Sequence, residues 1–385
     1  MRRAATAVLA AALASAFAVP GRAAEPGVSD NEILIGSCST LKQDIGMVEY
    51  LGATAYLQYV NDRLGGVHGR QIRVLFGDDE FTAPGAAKCY DRMRKQGVFA
   101  LAFVATGAEA IQYITLASAD RIPIVTMANG APFMYEPVKR YVFSMRPTYT
   151  QEARQIVDAL QGKLGAKRVA AIYMSDGLGF AGLEGVKESL AANKKTLAAE
   201  VSFLRTATDV SAPAASVMAA HPDAVVIIGN YRQAADVLKF ARRRRWKTRF
   251  ALVTAREGVV KEAGDAAEGL IMALLFPHPS RADLPTVALF QNLMAEYHPD
   301  AKPNVKMLEG FVHAMLLVKA LDKAGPEPTR EKMISALETM RDEDMGLGAD
   351  YRISFSSASH QGFSHEDFSV VRGGQSVPID DWSKL

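Results

Sequence analysis

After residue 24 this sequence has no apolar run approaching the roughly 18 residues that a membrane-spanning helix needs. It also lacks a strong charge of either sign. The formal net charge is +2, and setting aside Arg2, Arg3 and Arg22 of the first 24 residues leaves −1. A near-neutral surface gives no electrostatic ground for binding nucleic acid. The seven histidines (68, 221, 278, 298, 313, 360 and 365) show no metal-ligand spacing, and His-Glu-x-x-His is absent. Neither Gly-x-Ser-x-Gly nor Gly-x-x-x-x-Gly-Lys-Ser/Thr occurs. No metal, cofactor or catalytic residue is therefore assigned. Cysteine is scarce, with Cys38 and Cys89 the only two. A disulfide between them and a pair of buried free thiols both stand at this level, because bridging needs Cα atoms within roughly 7 Å.

What is present begins with a segment unlike the rest. Met1-Arg2-Arg3 is a short basic head, residues 4–19 are almost wholly apolar, and Pro20-Gly21-Arg22-Ala23-Ala24 supplies a turn and small residues. This is the order of a cleaved secretory signal covering residues 1–24. No cysteine directly follows the apolar run, so lipid attachment there is not expected. The mature chain is expected outside the cytoplasm, with no stable membrane insertion after cleavage.

From Glu32 on, β-branched runs alternate with amphipathic helical stretches. Strands are predicted at 33–35, 71–76, 98–104 and 122–126, with helices at 46–62, 84–96 and 109–120 between them. The pattern restarts after 141–145. Helices at 151–164, 178–192, 209–220 and 231–243 alternate with strands at 168–173, 201–204, 224–228 and 250–253. Three more helices (284–297, 305–324 and 329–340) and a short β tail at 351–355 and 368–371 complete the chain. Such alternation builds α/β lobes, here two doubly wound parallel sheets, each covered on both faces. About 360 mature residues also exceed one ordinary core. Ligands of such sheets sit at the carboxyl ends of strands, so functional residues belong in the loops that follow them.

Two stretches carry a resemblance. Gly27-Val28-Ser29-Asp30-Asn31-Glu32-Ile33-Leu34-Ile35-Gly36 looks like a mature start, and Val60-Asn61-Asp62-Arg63-Leu64-Gly65-Gly66-Val67-His68-Gly69-Arg70 resembles an N-x-x-GG-x-x-G turn. Both are similar to the periplasmic solute-binding proteins of branched-chain amino acid transporters, the type I binding-protein fold. The resemblance implies three interlobe crossovers, with lobe 1 at 27–145 plus 276–348 and lobe 2 at 146–275 plus 349–385. It implies a monomeric, non-enzymatic periplasmic receptor that carries a small organic ligand to the membrane permease of an ABC transporter. An amino acid, an amide or a small aromatic or carboxylic acid all suit that role; a sensor of the same fold is the alternative.

By the same resemblance, Thr106, Gly107, Ala108 and Glu109 correspond to the loop that holds a ligand carboxylate. Ala128, Asn129 and Gly130 supply backbone groups, Tyr231 a cleft aromatic, and Glu257 the carboxylate for a ligand ammonium. Gly107 and Ala108 stand where many relatives have serines, and Leu178 where many have tyrosine. Those departures weigh against an α-amino acid, whereas Glu257 favours an amino group. Beside these roles, Tyr231 also reads as a helix cap, and Arg256 with Glu257 as a solvated neighbouring pair. In the cleft, Arg256 would instead meet a ligand carboxylate bidentately.

Gly177-Leu178-Gly179-Phe180-Ala181-Gly182 matches G-x-G-x-x-G, with Glu200 further on. A nicotinamide-dependent oxidoreductase is the reading it suggests. Two features oppose it: Ser175 and Asp176 loosen the strand-to-glycine turn, and Glu200 precedes its strand rather than following it. The basic run from Arg242 to Arg245 reads as a solvated helix end, where cations complement the dipole.

Overall fold

The computed structural model describes residues 25–41, 45–105, 107, 109–254 and 257–385. The expected leader, residues 1–24, lies outside them. Strand β1 (Glu32–Ser39) is buried from Ile33 to its end, as a strand covered on both faces must be. Helix α1 (Ile45–Leu64) returns the chain to β2 (Gln71–Asp78), which pairs parallel to β1 with Ser39 opposite Asp78. Helix α2 (Ala83–Lys95) leads to β3 (Ala100–Leu101) on the other side of β1. Next come β4 (Val104–Ala105), α3 (Ala110–Asp120) and β5 (Met127–Ala128), with β4 and β5 parallel.

The single strand expected over 98–104 is broken into β3 and β4 at Phe103, whose φ of 57° no extended strand can hold. Phe103 is held there by neighbours. Its N–H donates to Thr126 Oγ1 at 2.9 Å, and its carbonyl accepts from Ser37 Oγ at 3.1 Å. The expected strand at 122–126 is reduced to bridges from Ile124 to Leu101 and Val142, its ladder passing to β5.

The second sheet starts after α4 (Tyr149–Gly162), whose first turn is closed by a Thr148–Gln151 capping box. It runs through β6 (Val169–Met174), α5 (Gly177–Ala192), β7 (Glu200–Phe203), α6 (Ser211–Ala219), β8 (Ala224–Ile228), α7 (Tyr231–Arg243), β9 (Arg249–Val253), α8 (Gly258–Ala263) and β10 (Ile271–Leu274). Three helices follow: α9 (Pro285–Tyr297), α10 (Val305–Ala324) and α11 (Arg330–Glu338). Strands β11 (Asp367–Arg372) and β12 (Gln375–Pro378) then add an antiparallel edge, giving the order β12-β11-β10-β9-β8-β6-β7. Among the described residues no helix is long and apolar enough to cross a membrane.

Each sheet has a core on both faces. Residues of β1 and β2 share one cluster with α1, α9, α10 and α11, and another with α2 and α3. The second sheet packs α6, α7 and α8 on one face and α4 and α5 on the other. Residues 351–355, expected as part of the second lobe, behave otherwise. Tyr351, Ile353 and Phe355, with Phe363, bury their side chains in the first sheet's core. The chain changes core between Phe363 and Asp367, not near Ala349, and residues 351–355 form no named strand.

Helices α1 and α10 touch backbone to backbone. A Cβ on Gly52 would lie 1.7 Å from the Met307 carbonyl, and one on Gly310 1.8 Å from that of Glu49. In that contact Glu49, 1% exposed, pairs with Lys306 Nζ at 2.9 Å and His313 Nδ1 at 2.9 Å. Burial alone would raise the Glu49 carboxyl; the Lys306 and His313 interactions outweigh it and hold the pKa at about 2. Cys38, at the end of β1, is disulfide-bonded to Cys89 of α2 across a Cα–Cα distance of 6.0 Å.

Candidate functional site

The parallel registers put Ser39, Asp78, Ala105 and Ala128 at the same end of the first sheet. Asp79 organises the loops there. It is fully buried and accepts from Thr40 Oγ1 at 2.8 Å, the Phe81 N–H at 3.0 Å and Tyr113 Oη at 3.1 Å. Burial raises its pKa and the charge of Glu109 adds to the rise, while the three hydrogen bonds oppose it. The same carboxylate pushes the Tyr113 hydroxyl upward, after burial. Phe81 adopts φ 56°, a left-handed conformation costly for a bulky side chain. That turn sets its ring against Gly107, where a Cβ would lie 3.1 Å from the ring.

Gly107, Glu109 and Asn129 come together as a hydrogen-bonded unit. Glu109 is buried, and its Oε2 accepts from the Gly107 N–H at 3.0 Å. Asn129 Nδ2 donates to the Gly107 carbonyl at 2.8 Å, and Asn129 Oδ1 accepts from the Ala131 N–H at 2.8 Å. Ala128 is half-buried beside them. Gly130 is closed in: a Cβ would stand 2.8 Å from the Tyr149 ring and 3.1 Å from an Arg146 nitrogen. Thr106, Ala108 and Arg256 lie outside the described residues.

On the second sheet, Tyr231 opens α7 directly after the β8 loop, and its ring lies 3.2 Å from where a Gly258 Cβ would be. Arg232 covers that ring at 5.7 Å and donates to its hydroxyl at 3.2 Å. Glu257 precedes Gly258 and is exposed. Partial desolvation raises the pKa of its carboxyl, and the Val305 N–H and the Lys302 ammonium pull it back. A residue of the β9 loop thus reaches the start of α10, a helix of the first core.

A second bridge between the sheets runs through Arg205. Arg205, just beyond β7, lies with its guanidinium 4.8 Å from the centre of the Phe81 ring and 3.8 Å from Asp176. Arg205 is not among the candidates drawn from the sequence, although it too follows a strand and so satisfies the strand-end rule. Leu178 and Ala181 also pack against the first sheet's second core. The loops at the carboxyl ends of both sheets therefore face one another, the arrangement that encloses a small molecule in folds of this kind.

The glycine run at 177–182 serves packing. Asp176 caps α5 through the Gly179 N–H, and a Cβ on Gly179 would lie 1.7 Å from the Met174 carbonyl. One on Gly182 would lie 2.7 Å from Ile228. These contacts account for both glycines without a pyrophosphate. A 310 Å³ hollow lined by Gly27, Glu32, Leu34 and Gln96 lies at the amino end of β1, away from all of these loops.

Residues 34–374 match the family model described as periplasmic binding protein. No protein with a curated description matches the sequence. Among solved structures, the chain is similar to a possible leucine/isoleucine/valine-binding protein from Rhodopirellula baltica. The TM-score is 0.83 at 22% identity, over 93% of this chain and 98% of that one. It is also similar to a substrate-binding periplasmic protein from Ralstonia solanacearum, with TM-score 0.79 and 27% identity over 88% and 98%. A third is the substrate-binding protein of a fatty acid ABC transporter from Thermomonospora curvata, with TM-score 0.81 and 21% identity over 92% and 93%. The family and these neighbours are binding proteins, not enzymes.

Proposed function

Because the chain belongs to the periplasmic binding protein family, we propose that it is an extracytoplasmic receptor that closes on a small organic ligand and delivers it to the membrane permease of an ABC transporter. Residues 1–24 act as the leader that exports it to the periplasm. One lobe comprises residues 27–145 and 276–363, the other residues 146–275 and 367–385, with the ligand held between them. Glu109, Asn129 and Gly130 belong to one wall, with Gly107; Tyr231, Arg256 and Glu257 belong to the other. The observation that supports this reading best is the approach of Arg205 to Phe81, loop to loop across the two sheets.

A thermal-denaturation screen of the mature protein against amino acids, amides, aromatic acids and fatty acids tests it. A ligand held only by the folded form adds about 2.7 kcal/mol of stability at a hundredfold excess over Kd. A rise with one chemical class is the expected result. A response confined to nicotinamide dinucleotides would sink the receptor reading.

A further inference from the structure

We propose that the second lobe docks on an anionic lipid bilayer through the pole opposite the cleft, where six unpaired cations and Trp246 share one face. The proposal rests on the receptor reading for the compartment it assumes, and it concerns a surface that the ligand does not touch.

The parallel strands of the second sheet begin together. Val169 of β6 lies opposite Ala224 of β8, and Ala224 opposite Arg249 of β9, so these positions mark the end of the sheet away from the cleft. Helices α4 to α7 each finish just before one of the strands β6 to β9, at that same end. Hydrogen bonds knit the intervening segments into one face. The N–H groups of Lys167 and Arg168 donate to the Asp223 carboxylate at 2.9 and 3.0 Å, and the Arg249 N–H donates to the Asp223 carbonyl at 3.2 Å. The Arg168 guanidinium donates to the carbonyls of Ala220 and His221 at the end of α6. Arg244, Arg245 and Lys247 follow α7 on the way to β9.

Lys167, Arg168, Arg244, Arg245, Lys247 and Arg249 are all exposed, and among the described residues none has a carboxylate oxygen within 4.0 Å. Arg242, at the margin of the face, is by contrast held by Asp265 at 3.2 Å. Asp223 is the one acid in segments 167–168, 221–223 and 243–249. A helix end carries about half a negative charge, so four such ends with Asp223 answer about three of the six cations. Helix termination thus accounts for only part of a basic run that the sequence places at a solvated helix end. The rest is a local positive excess on a chain whose net charge, residues 1–24 set aside, is −1.

Trp246 points to the kind of anion. It is half-buried and packs edge-on to Phe250 at 5.2 Å, within the basic run itself. Indole rings settle at the headgroup level of bilayers, and each cation near the surface adds attraction to an anionic leaflet. Docked by this pole, the receptor turns its cleft away from the bilayer, so lipid and ligand bind independently.

Co-sedimentation of the mature protein with vesicles tests the assignment, at about 0.1 M salt, where exposed charges act over roughly 10 Å. One set of vesicles is phosphatidylcholine alone, and the other includes phosphatidylglycerol. Binding is expected to the anionic set only, and to persist in excess inorganic phosphate. Arg245→Gln/Lys247→Gln should weaken it at least about tenfold. Lys88→Gln/Lys332→Gln removes two exposed cations from α2 and α11 and should leave it unchanged. Melting temperatures of both variants, compared with that of the unmodified protein, confirm that each is folded. Failure to bind anionic vesicles, equal binding to both sets, equal loss in the two variants, or release by phosphate each overturns the proposal. None of these outcomes bears on the ligand screen, whose silence would count against the receptor reading instead.

Discussion

Arg205 and Phe81 are joined face to ring, the guanidinium 4.8 Å from the ring centre, although one residue follows β7 and the other β2. No strand connects those loops, so the contact exists only while the two sheets' carboxyl ends are near each other. Half-exposed cation–π pairs of this sort contribute about 0.5–1 kcal/mol. Replacing Arg205 by Ala should therefore lower ligand affinity several-fold and enlarge the radius of gyration of the ligand-free protein. Small-angle X-ray scattering checks the second effect, and identical profiles for both proteins would remove Arg205 from closure.

The Cys38–Cys89 bridge spans 51 residues. Closing a loop of that length in the unfolded chain is worth about 4 kcal/mol on the chain-entropy model. Reduction, or the double substitution Cys38→Ala/Cys89→Ala, should lower the urea midpoint accordingly. A midpoint unmoved by reductant would contradict the bridge.

Lys306, together with His313, keeps Glu49 ionised between α1 and α10. Lys306→Met leaves that carboxylate to His313, and breaking one side of a buried pair costs about 3–5 kcal/mol. The loss should be largest near neutral pH and shrink in acid, where Glu49 of the variant can take up a proton. Urea titrations at two pH values read it directly.

Glu366 presents the opposite case. It is 1% exposed, neither carboxylate oxygen has a hydrogen-bond partner, and burial raises its pKa well above the usual range, against a weaker pull from Arg146. The folded chain thus keeps a proton that the unfolded chain releases near pH 4.3 (an approximate carboxylate value). Stability must fall as pH climbs from there towards the folded value. Glu366→Gln should flatten that decline and be the more stable protein at neutral pH. An unchanged slope on the alkaline side of the ordinary carboxylate value would mean the group does not titrate there.

Glu257→Gln isolates the second-sheet wall. For a ligand that brings an amine to Glu257, affinity should drop by about 2–5 kcal/mol, the range for truncating one partner of a desolvated charge pair. Calorimetry with the ligand from the thermal screen measures it. Equal affinity would place the amine elsewhere.

The alternation of apolar strands and amphipathic helices was legible because parallel strands buried on both faces must be apolar throughout, as in β1 and β8. The break at Phe103 was not, since a lone left-handed residue leaves no trace in an apolar run. Nor was the late change of core. Tyr351, Ile353 and Phe355 alternate like a strand, and alternation says that one face is buried without saying against which sheet. At the site, the strand-end rule found the loops holding Asp79, Asn129 and Tyr231. It could not reveal that Glu109 turns back on Gly107 two positions earlier, because such a hydrogen bond depends on a loop shape the sequence does not state.

Glu152 sits at the chain's first passage between the sheets, in α4. It pairs with Arg146 and accepts from both the backbone N–H and the hydroxyl of Thr254, at 3.1 and 2.9 Å. Thr254 is where β9 ends and the Glu257 loop departs. In the receptor we propose, pivot and root of the Glu257 wall are consequently pinned to the same carboxylate, so a rotation about the passage would carry Thr254 with it.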